Sequence, residues 1–258
     1  MRLKDKCIIV TGSTSGVGEA IARRCVAEGA RVLIHGLEPD LADKIAAELG
    51  KAAASWVDDL SDATAPDRIV NAAVKAFGRI DGIVNNAAWI VRSNLETTDA
   101  ALFDKAIAIN LRAPLLLIRS ARDQLKKTRG AVINIGSING YGGEQKQLAY
   151  AITKAGLHIL SRNLGDALAL EGVRVNHFVL GWVLTENEKK LKISEGLPQG
   201  WWQQQSREFV PSGKMTSPAD VAAAAVFWLS DESRPFSGNT IELEQFPPLG
   251  RIPLKEGT

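Results

Sequence analysis

Short runs of apolar, often β-branched residues alternate along the chain with longer segments whose apolar positions repeat at helical spacing. Cys7-Ile8-Ile9-Val10 is one such run and predicts a strand, whereas the spacing of Ile69, Ala73 and Phe77 is typical of a helix. The predicted strands cover residues 7–10, 31–34, 53–57, 80–84, 131–135, 173–179 and 240–243. The predicted helices cover residues 19–28, 40–49, 65–77, 100–126, 148–170 and 218–229.

The alternation of strands and helices predicts the architecture. Strands that are joined through helices form right-handed crossovers, so they lie parallel and carry helices on both faces of the sheet. We therefore expect an α/β fold of the doubly wound, Rossmann type, with one domain over residues 1–258 and a mostly parallel seven-stranded sheet. Residues 186–217 interrupt the alternation beyond the carboxyl end of a strand, which predicts a lid over a ligand site. Residues 244–258 follow the last strand as a tail.

Composition excludes several classes of protein. The chain has 258 residues, and 31 Lys plus Arg against 29 Asp plus Glu give a net charge of +2, which is no footprint for nucleic acid or an anionic membrane. Its two cysteines, Cys7 and Cys25, form neither a disulfide framework nor a metal-ligand cluster. No apolar run approaches the roughly 20 residues of a membrane span, and no signal-peptide pattern is present. We expect a cytoplasmic protein without a metal, nucleic-acid or membrane partner.

A glycine-rich turn, from Thr11 to Gly18, joins the first predicted strand to the first predicted helix. Glycine permits positive φ and lets the backbone approach a pyrophosphate, and the helix N-terminus attracts that anion through its free N–H groups. The spacing differs from the G-x-G-x-x-G fingerprint, and a plain tight turn remains an alternative. The strand–turn–helix setting favours a nucleotide.

Further motifs follow along the chain in a fixed order. These are Asp59-Leu60-Ser61-Asp62 after the third strand, Asn85-Asn86-Ala87-Ala88 after the fourth, Asn110 inside the long helix, Ser137 after the fifth strand, and Tyr150-Ala151-Ile152-Thr153-Lys154 at the start of the next helix. With the glycine turn, they make the chain resemble the short-chain dehydrogenase/reductase family from Lys6 to about Leu243. The resemblance implies NAD or NADP as cofactor and hydride transfer between a secondary alcohol and a carbonyl.

The Tyr-x-x-x-Lys spacing suits the proton transfer that must accompany hydride transfer. A phenol has a pKa near 10, and a lysine at i+4 lies on the same helix face, where its charge favours the phenolate. We therefore expect Tyr150 to act as general acid/base and Lys154 to lower the pKa of Tyr150. The resemblance further implies that Lys154 holds the nicotinamide ribose, that Ser137 hydrogen-bonds the substrate oxygen, and that Asn110 holds a water of a proton relay.

The resemblance also supplies the expected cofactor site, which the glycine turn and the ends of the other strands would form. Its residues are Gly12, Ser15, Gly16, Val17, Gly18, Leu37, Asp59, Leu60, Asn86, Ala87, Tyr150, Lys154, Val183 and Thr185.

Two departures from the family pattern bear on the cofactor. Leu180 stands where the family usually has proline, so the turn that carries Val183 and Thr185 is not fixed through φ. The second predicted strand ends in Gly36-Leu37-Glu38, without an acidic residue at position 36 or a basic residue at position 37. Because a 2′-phosphate would meet no cation there and Glu38 would repel it, the sequence favours NAD over NADP.

Aromatic, carboxylate and amide side chains near the predicted site suggest the substrate. Trp89, Glu144, Gln147 and Trp182 would stack on C–H faces and hydrogen-bond hydroxyl groups, which favours a sugar, a polyol or a similar small hydroxy compound. Trp201 and Trp202 are equally compatible with a packing role inside the lid or at a subunit contact.

Three other functions remain open at this point. A 3-ketoacyl-type or other carbonyl reductase would use the same residues, an epimerase or dehydratase usually has a longer chain, and a non-catalytic NAD(P)-binding sensor or scaffold would not need a tuned phenol. The resemblance also implies a homo-oligomer, a tetramer or a dimer, formed through helices and C-terminal segments. In such an oligomer the tail could reach the active-site mouth of a neighbouring subunit.

Overall fold

Seven strands form one sheet within residues 1–249, which are the residues that the computed structural model describes. They are β1 (Cys7–Val10), β2 (Arg31–Gly36), β3 (Ala53–Val57), β4 (Gly82–Asn85), β5 (Ala131–Ser137), β6 (Arg174–Leu180) and β7 (Thr240–Leu243). Their order is β3-β2-β1-β4-β5-β6-β7, and each pair of neighbours runs parallel. The predicted doubly wound, Rossmann-type fold is confirmed, and the sheet is wholly parallel.

Helices cover both faces of this sheet. They are α1 (Gly16–Ala27), α2 (Pro39–Leu49), α3 (Ala65–Phe77), α4 (Ala100–Ile107), α5 (Ala113–Thr128), α6 (Leu148–Ala167), α7 (Glu186–Ser194) and α8 (Pro218–Leu229). Helix α1 begins three residues before its predicted start, because the glycine turn leads straight into the helix. Helix α6 ends before residue 170, where a short 3₁₀ turn leads to Gly172 at φ +76°.

The long helix predicted over residues 100–126 contains one turn of π-helix, Ala108–Arg112, between α4 and α5. Pro114 explains it. Proline has no N–H to donate to the carbonyl four residues earlier, which is that of Asn110, and its ring crowds that carbonyl. A π-turn absorbs the missing bond while φ and ψ stay helical. Asn110 therefore lies at an irregular point of the helix.

Strand side chains alternate between two hydrophobic cores, one on each face of the sheet. Ile8 and Val10 of β1 pack in the core that includes α1 and α8, and Ile9 packs in the core that includes α3 and α5. Each such fully buried side chain contributes roughly 1.5 to 3 kcal/mol relative to an exposed one. Both faces are apolar, which is why the strands have nearly continuous hydrophobic sequences.

Strand order places the candidate site. Because β1 lies between β2 and β4, the crossovers on its two sides run in opposite directions, and a crevice opens at the carboxyl ends of β1 and β4. The predicted catalytic and cofactor residues follow these strands and their neighbours β5 and β6.

The structure also bears on the cysteines, on membrane-spanning helices and on metal sites. Cys7 and Cys25 are free and buried. Residues 1–249 contain no helix long and apolar enough to cross a bilayer, and no cluster of three or more His, Cys, Asp or Glu side chains suited to a metal ion. The single domain over residues 1–258 stays a prediction, and part of the tail, residues 250–258, lies outside the described residues.

Candidate active site

The carboxyl ends of the strands open into a cleft of about 1500 Å³. It brings together most of the residues that the sequence singled out. The predicted residues that line it are Gly12, Ser15, Gly16, Val17, Leu37, Asp59, Leu60, Asn86, Ala87, Trp89, Ser137, Glu144, Gln147, Tyr150, Lys154, Trp182, Val183 and Thr185. Gly18 and Asn110 do not line the cleft, and both have other tasks in the structure.

The glycine turn is held against the loop that follows β4. The Asn86 side-chain amide donates to the carbonyls of Thr11 (3.0 Å) and Gly12 (2.9 Å), and the Thr11 hydroxyl accepts from the backbone N–H groups of Asn86 and Ala87. A Cβ on Gly12 would lie 2.8 Å from the Cα of Ala87, and one on Gly18 would lie 2.2 Å from the carbonyl oxygen of Gly12. Gly18 therefore permits close packing of the turn rather than contact with a ligand.

This turn fits the pyrophosphate of a dinucleotide. Gly12 and Gly16 have φ of +62° and +57°, which glycine adopts without strain, and both line the cleft. Ser15 precedes the 12-residue helix α1 and makes no side-chain cap, so the first amide groups of the helix face the cleft end uncapped. Free amides and the positive end of the helix dipole together attract a phosphate anion.

At the outer end of the cleft, a side chain at position 36 is excluded. A Cβ on Gly36 would lie 2.4 Å from Cγ2 of Thr14, so the place where an acidic residue would meet a ribose is filled by Thr14. His35, which the sequence analysis did not select, also lines the cleft, and its Nδ1 accepts from the backbone N–H of Gly12 at 3.4 Å. Burial lowers the pKa of His35 to about 4, so the ring is neutral and offers no cation to a phosphate.

Ser137, Tyr150 and Lys154 meet where β5 ends against α6. The Lys154 ammonium is buried, donates to the carbonyl of Ile135 at 2.6 Å and lies 5.5 Å from the centre of the Tyr150 ring. Tyr150 is also buried, and Ser137 hydrogen-bonds its phenol. Three functional groups of the expected chemistry therefore share one end of the cleft.

Burial is the main influence on the pKa values of Tyr150 and Lys154. It raises the pKa of Tyr150 to about 12, and the hydrogen bond from Ser137 only partly offsets this effect. Burial also lowers the pKa of Lys154 to about 8, because the interior disfavours the ammonium. The effect of Lys154 on the pKa of Tyr150 stays a prediction, and Nζ lies 5.5 Å from the centre of the Tyr150 ring, where its charge favours a phenolate. This Nζ is directed to the Ile135 carbonyl, and the phenol is a neutral proton donor.

The Asn110 side chain has three direct protein partners. Its side-chain oxygen accepts from the backbone N–H of Trp89 at 2.7 Å, and its amide nitrogen donates to the carbonyl of Trp89 and to the hydroxyl of Thr153, both at 3.1 Å. The side chain thus holds the loop after β4 against α6, and its expected role in holding a water stays a prediction. Asn110 lies within the π-turn Ala108–Arg112.

The predicted lid, residues 186–217, follows Thr185 and includes α7. The Thr185 hydroxyl oxygen accepts from the backbone N–H of Glu188 and caps α7, which leaves the hydroxyl hydrogen to donate to a carboxamide. Trp182 stacks on Trp201 with ring centres 4.9 Å apart. Trp201 is buried with Val210 and Met215 in a small core of its own.

Trp202 packs against the same small core, so packing inside the lid is the alternative that the structure shows for Trp201 and Trp202. Of the lid-associated tryptophans that the sequence analysis considered, Trp182 is the one that also lines the cleft.

Polar side chains surround the mouth of the cleft. Oε2 of Glu144 is buried without a hydrogen-bond partner, and the nearest cation is Nη1 of Arg92 at 3.9 Å. Gln147 accepts from the side-chain amide of Asn139, and Lys105 lies over the ring of Trp89 at 4.7 Å. An unpartnered buried acceptor costs free energy, and a hydroxyl group brought to Glu144 would satisfy it.

A buried imidazole that the sequence did not indicate lies behind Ser137, Tyr150 and Lys154. His177 of β6 bonds the hydroxyl of Ser161 at 3.1 Å and stacks on His158 with ring centres 5.0 Å apart. A Cβ on Gly136 would lie 2.1 Å from its Nε2, so the ring fills the space beside Gly136. It thus supports the stretch of β5 between the Ile135 carbonyl and Ser137. The strand register pairs His177 with Asn134, two residues before Gly136, so the ring reaches Gly136 diagonally.

Comparison with known proteins decides the family. A family model described as enoyl-(acyl carrier protein) reductase matches residues 12–244. The chain belongs to the short-chain dehydrogenase/reductase family. It is an NAD(P)-dependent oxidoreductase that acts on CH–OH groups, and the glycine turn and cleft described above fit that cofactor.

Individual members of the family are similar over nearly their full length. The chain is 34% identical to L-rhamnose 1-dehydrogenase (NAD(P)(+)) of Azotobacter vinelandii, over 93% of this chain and 96% of that protein. It is 32% identical to 2,5-dichloro-2,5-cyclohexadiene-1,4-diol dehydrogenase of Sphingobium indicum, over 94% and 96%. A crystal structure of 3-ketoacyl-(acyl-carrier-protein) reductase from Brucella melitensis with NADH matches at a TM-score of 0.82 and 27% identity, over 93% and 97%.

Replacing Lys154 by Met tests the cost of the buried ammonium. The pKa of Lys154 is about 8 in the folded chain, whereas a lysine in the unfolded chain has its usual pKa of 10.5. Between these two pH values the unfolded chain binds more protons than the folded chain. The stability of the wild-type protein therefore rises with pH over this range. At neutral pH we expect Lys154→Met to raise the unfolding free energy by roughly 1 to 2 kcal/mol, net of the lost bond to Ile135.

The advantage of Lys154→Met should shrink as pH rises from 8 to 10.5. Urea denaturation over this range measures it, with Lys75→Met, which changes an exposed lysine, as the control. A variant that is less stable than wild type at neutral pH would contradict the account.

Replacing Gly136 by Ala tests the support behind β5. The new Cβ would clash with Nε2 of His177, so we expect kcat to fall by roughly tenfold with little change in KM. The double variant G136A/H177A removes the ring and should recover part of the loss. Recovery stays partial because the carbonyl of Phe178 would still lie 2.8 Å away. Equal kcat for the single and double variants would show that His177 is not involved.

Proposed function

We propose that this chain interconverts a secondary alcohol and a carbonyl in a sugar, a polyol or a similar small hydroxy compound, with NAD as the preferred cofactor. The observation that carries the proposal is the meeting of Ser137, Tyr150 and Lys154 at a cleft whose mouth holds a carboxylate oxygen of Glu144 without a hydrogen-bond partner. The first three groups suit the reaction, and the last suits a hydroxylated substrate.

The proton-transfer role follows from the neutral phenol. Ser137 binds the substrate oxygen and Tyr150, and Tyr150 donates its proton to a carbonyl oxygen or accepts the proton of a hydroxyl. The Lys154 ammonium, held by the Ile135 carbonyl, stabilises the phenolate that forms when the proton has moved. A bound nicotinamide dinucleotide supplies the hydride donor or acceptor. Asn110 acts as a positioning residue through Trp89 and Thr153.

The preference for NAD rests on the outer end of the cleft. Thr14 fills the space at Gly36, Leu37 is exposed and carries no charge, and His35 is neutral. The carboxylate of Glu38 lies 3.5 Å from the Thr14 hydroxyl and would repel a 2′-phosphate. The ribose of NAD carries no such phosphate.

The substrate class rests on the mouth of the cleft and on relatives. Trp89 and Trp182 offer aromatic faces, and Gln147 and Glu144 offer polar groups. Two of the relatives are named for a sugar and for a cyclic diol. The second candidate is a 3-ketoacyl-type carbonyl reductase, which is favoured by the similar structure from Brucella melitensis.

Location and assembly complete the proposal. Free buried thiols at Cys7 and Cys25 suit the reducing cytoplasm. Leu115, Ile152 and Ile159 leave apolar side chains exposed on α5 and α6, which supports a homo-oligomer, a tetramer or a dimer, formed through these helices. Light scattering after size-exclusion chromatography measures its size.

Purified protein tests the substrate class. Nicotinamide absorbance is followed with NAD or NADP and a panel of aldoses, polyols, hydroxy acids, secondary alcohols and 3-ketoacyl thioesters. We expect turnover of a sugar or polyol with NAD. Turnover of a ketoacyl thioester alone would replace our proposal by the second candidate, and dinucleotide binding without turnover across the panel would favour a sensor.

Replacing Tyr150 by Phe tests the proton-transfer role. Loss of the general acid/base should lower kcat by about a hundredfold or more, while the dissociation constant for NAD changes little. Tyr141→Phe removes the only other phenol of the chain and should leave kcat within about threefold of wild type. Similar activities for Tyr150→Phe and wild type would rule out this mechanism.

A further inference from the structure

The turn after β6 is held by a carboxylate from the end of the sheet. Glu244 directly follows β7, and its Oε2 accepts from the backbone N–H of Trp182 at 3.1 Å. Its Oε1 accepts from the backbone N–H of Gln245 at 2.7 Å. A Cβ on Gly181 would lie 1.4 Å from Oε2, so the carboxylate occupies the space beside the bare backbone of Gly181.

The next residue binds the far end of the lid. The side-chain oxygen of Gln245 accepts from the backbone N–H of Ser212 at 3.1 Å, and its amide nitrogen donates to the carbonyl of Lys214 at 2.8 Å. The consecutive side chains of Glu244 and Gln245 therefore hold the turn before the lid and the end of the lid. The two ends also contact each other, since the backbone N–H of Leu184 donates to the carbonyl of Thr216 at 2.8 Å.

The turn that Glu244 holds leads directly into the lid. Trp182 stacks on Trp201 in the lid core, and its indole N–H donates to Glu188 of α7 at 2.7 Å. Val183 follows at once and lines the cleft. A displacement of the Trp182 backbone would therefore move both the lid core and one wall of the cleft.

We propose that Glu244 and Gln245 form a clasp that positions the turn 181–183 for the dinucleotide and keeps the lid attached over the cleft. Leu180 cannot fix φ as a proline would, so the hydrogen bond to Glu244 restrains the turn instead. Because the clasp belongs to the tail, the tail acts on its own subunit's cleft. Both residues are positioning residues, and their effect is independent of which hydroxy compound is the substrate.

Glu244→Ala tests the clasp with three measurements made without substrate. Calorimetry gives the dissociation constant of NAD, near-ultraviolet circular dichroism reports the Trp182–Trp201 stack, and mass spectrometry gives the rate of proteolytic cleavage within residues 186–217. We expect roughly tenfold weaker NAD binding, a diminished aromatic signal and faster cleavage. Glu232→Ala, which removes an exposed carboxylate paired with Arg2, is the matched control and should change none of the three.

Gly181→Ala separates the clasp from a merely structural role of Glu244. The new methyl group would expel the carboxylate, so this variant should reproduce all three effects of Glu244→Ala. In the double variant G181A/E244A the methyl group meets no carboxylate, and the effect on NAD binding should not exceed that of either single change. Additive effects would overturn the proposal.

Two other outcomes would also overturn it. NAD binding within about twofold of wild type, together with unchanged cleavage in Glu244→Ala, would show that Glu244 contributes neither to NAD binding nor to the attachment of the lid. A change confined to KM for the substrate would make Glu244 a substrate contact instead. If Glu244→Ala does not fold, Gln245→Ala releases only the far end of the lid and must still accelerate cleavage there. Failure of the proposed substrate class leaves the measurements of NAD binding, circular dichroism and cleavage unaffected, because none of them uses the substrate.

Discussion

The hydrogen bond from the buried Lys154 ammonium to the Ile135 carbonyl is the interaction on which the active site depends. A positive charge inside a packed α/β interior is costly, and one direct bond to a strand carbonyl offsets part of that cost. The bond also locks the first turns of α6 to the end of β5. Since Tyr150 lies on that helix and Ser137 ends that strand, their contact follows from the same lock.

Much of this arrangement is predictable from sequence because it depends on local signals. The alternation of strands and helices predicts the sheet, and four-residue spacing puts Tyr150 and Lys154 on one face of a helix. Glycines in the first turn predict backbone exposed to a phosphate. Element boundaries were also close where glycine or proline marks them, as at Pro218 in α8.

What the sequence does not reveal are pairings between distant residues and the effects of burial. Gly136 is filled by His177 and Gly181 by Glu244, and no local pattern links the members of either pair. The pKa of Tyr150 rises because the phenol is enclosed, which spacing on a helix cannot show. The hydrogen bonds between the Asn110 amide and the backbone of Trp89 are a further pairing that no local pattern shows.

These pairings place a common catalytic group within surroundings particular to this chain. The imidazole of His177 fills the space beside Gly136 of β5, Glu244 lines the cleft beside the turn after β6, and Gln245 bonds Ser212 and Lys214. Substrate choice then depends on the mouth, where Oε2 of Glu144 has Arg92 at 3.9 Å and no hydrogen-bond partner. Chemistry and specificity are thus held by different contacts, as expected when sites vary on a shared fold.

Deuteride transfer is the most direct measurement of the central claim that this cleft oxidises an alcohol carbon. The protein is incubated with NAD and a polyol that carries deuterium on its carbinol carbons, and the reduced dinucleotide is analysed by mass spectrometry. Our account predicts a reduced nicotinamide that has gained one deuterium from the polyol. Bound NAD that stays oxidised with polyols, sugars and 3-hydroxyacyl thioesters alike would contradict it.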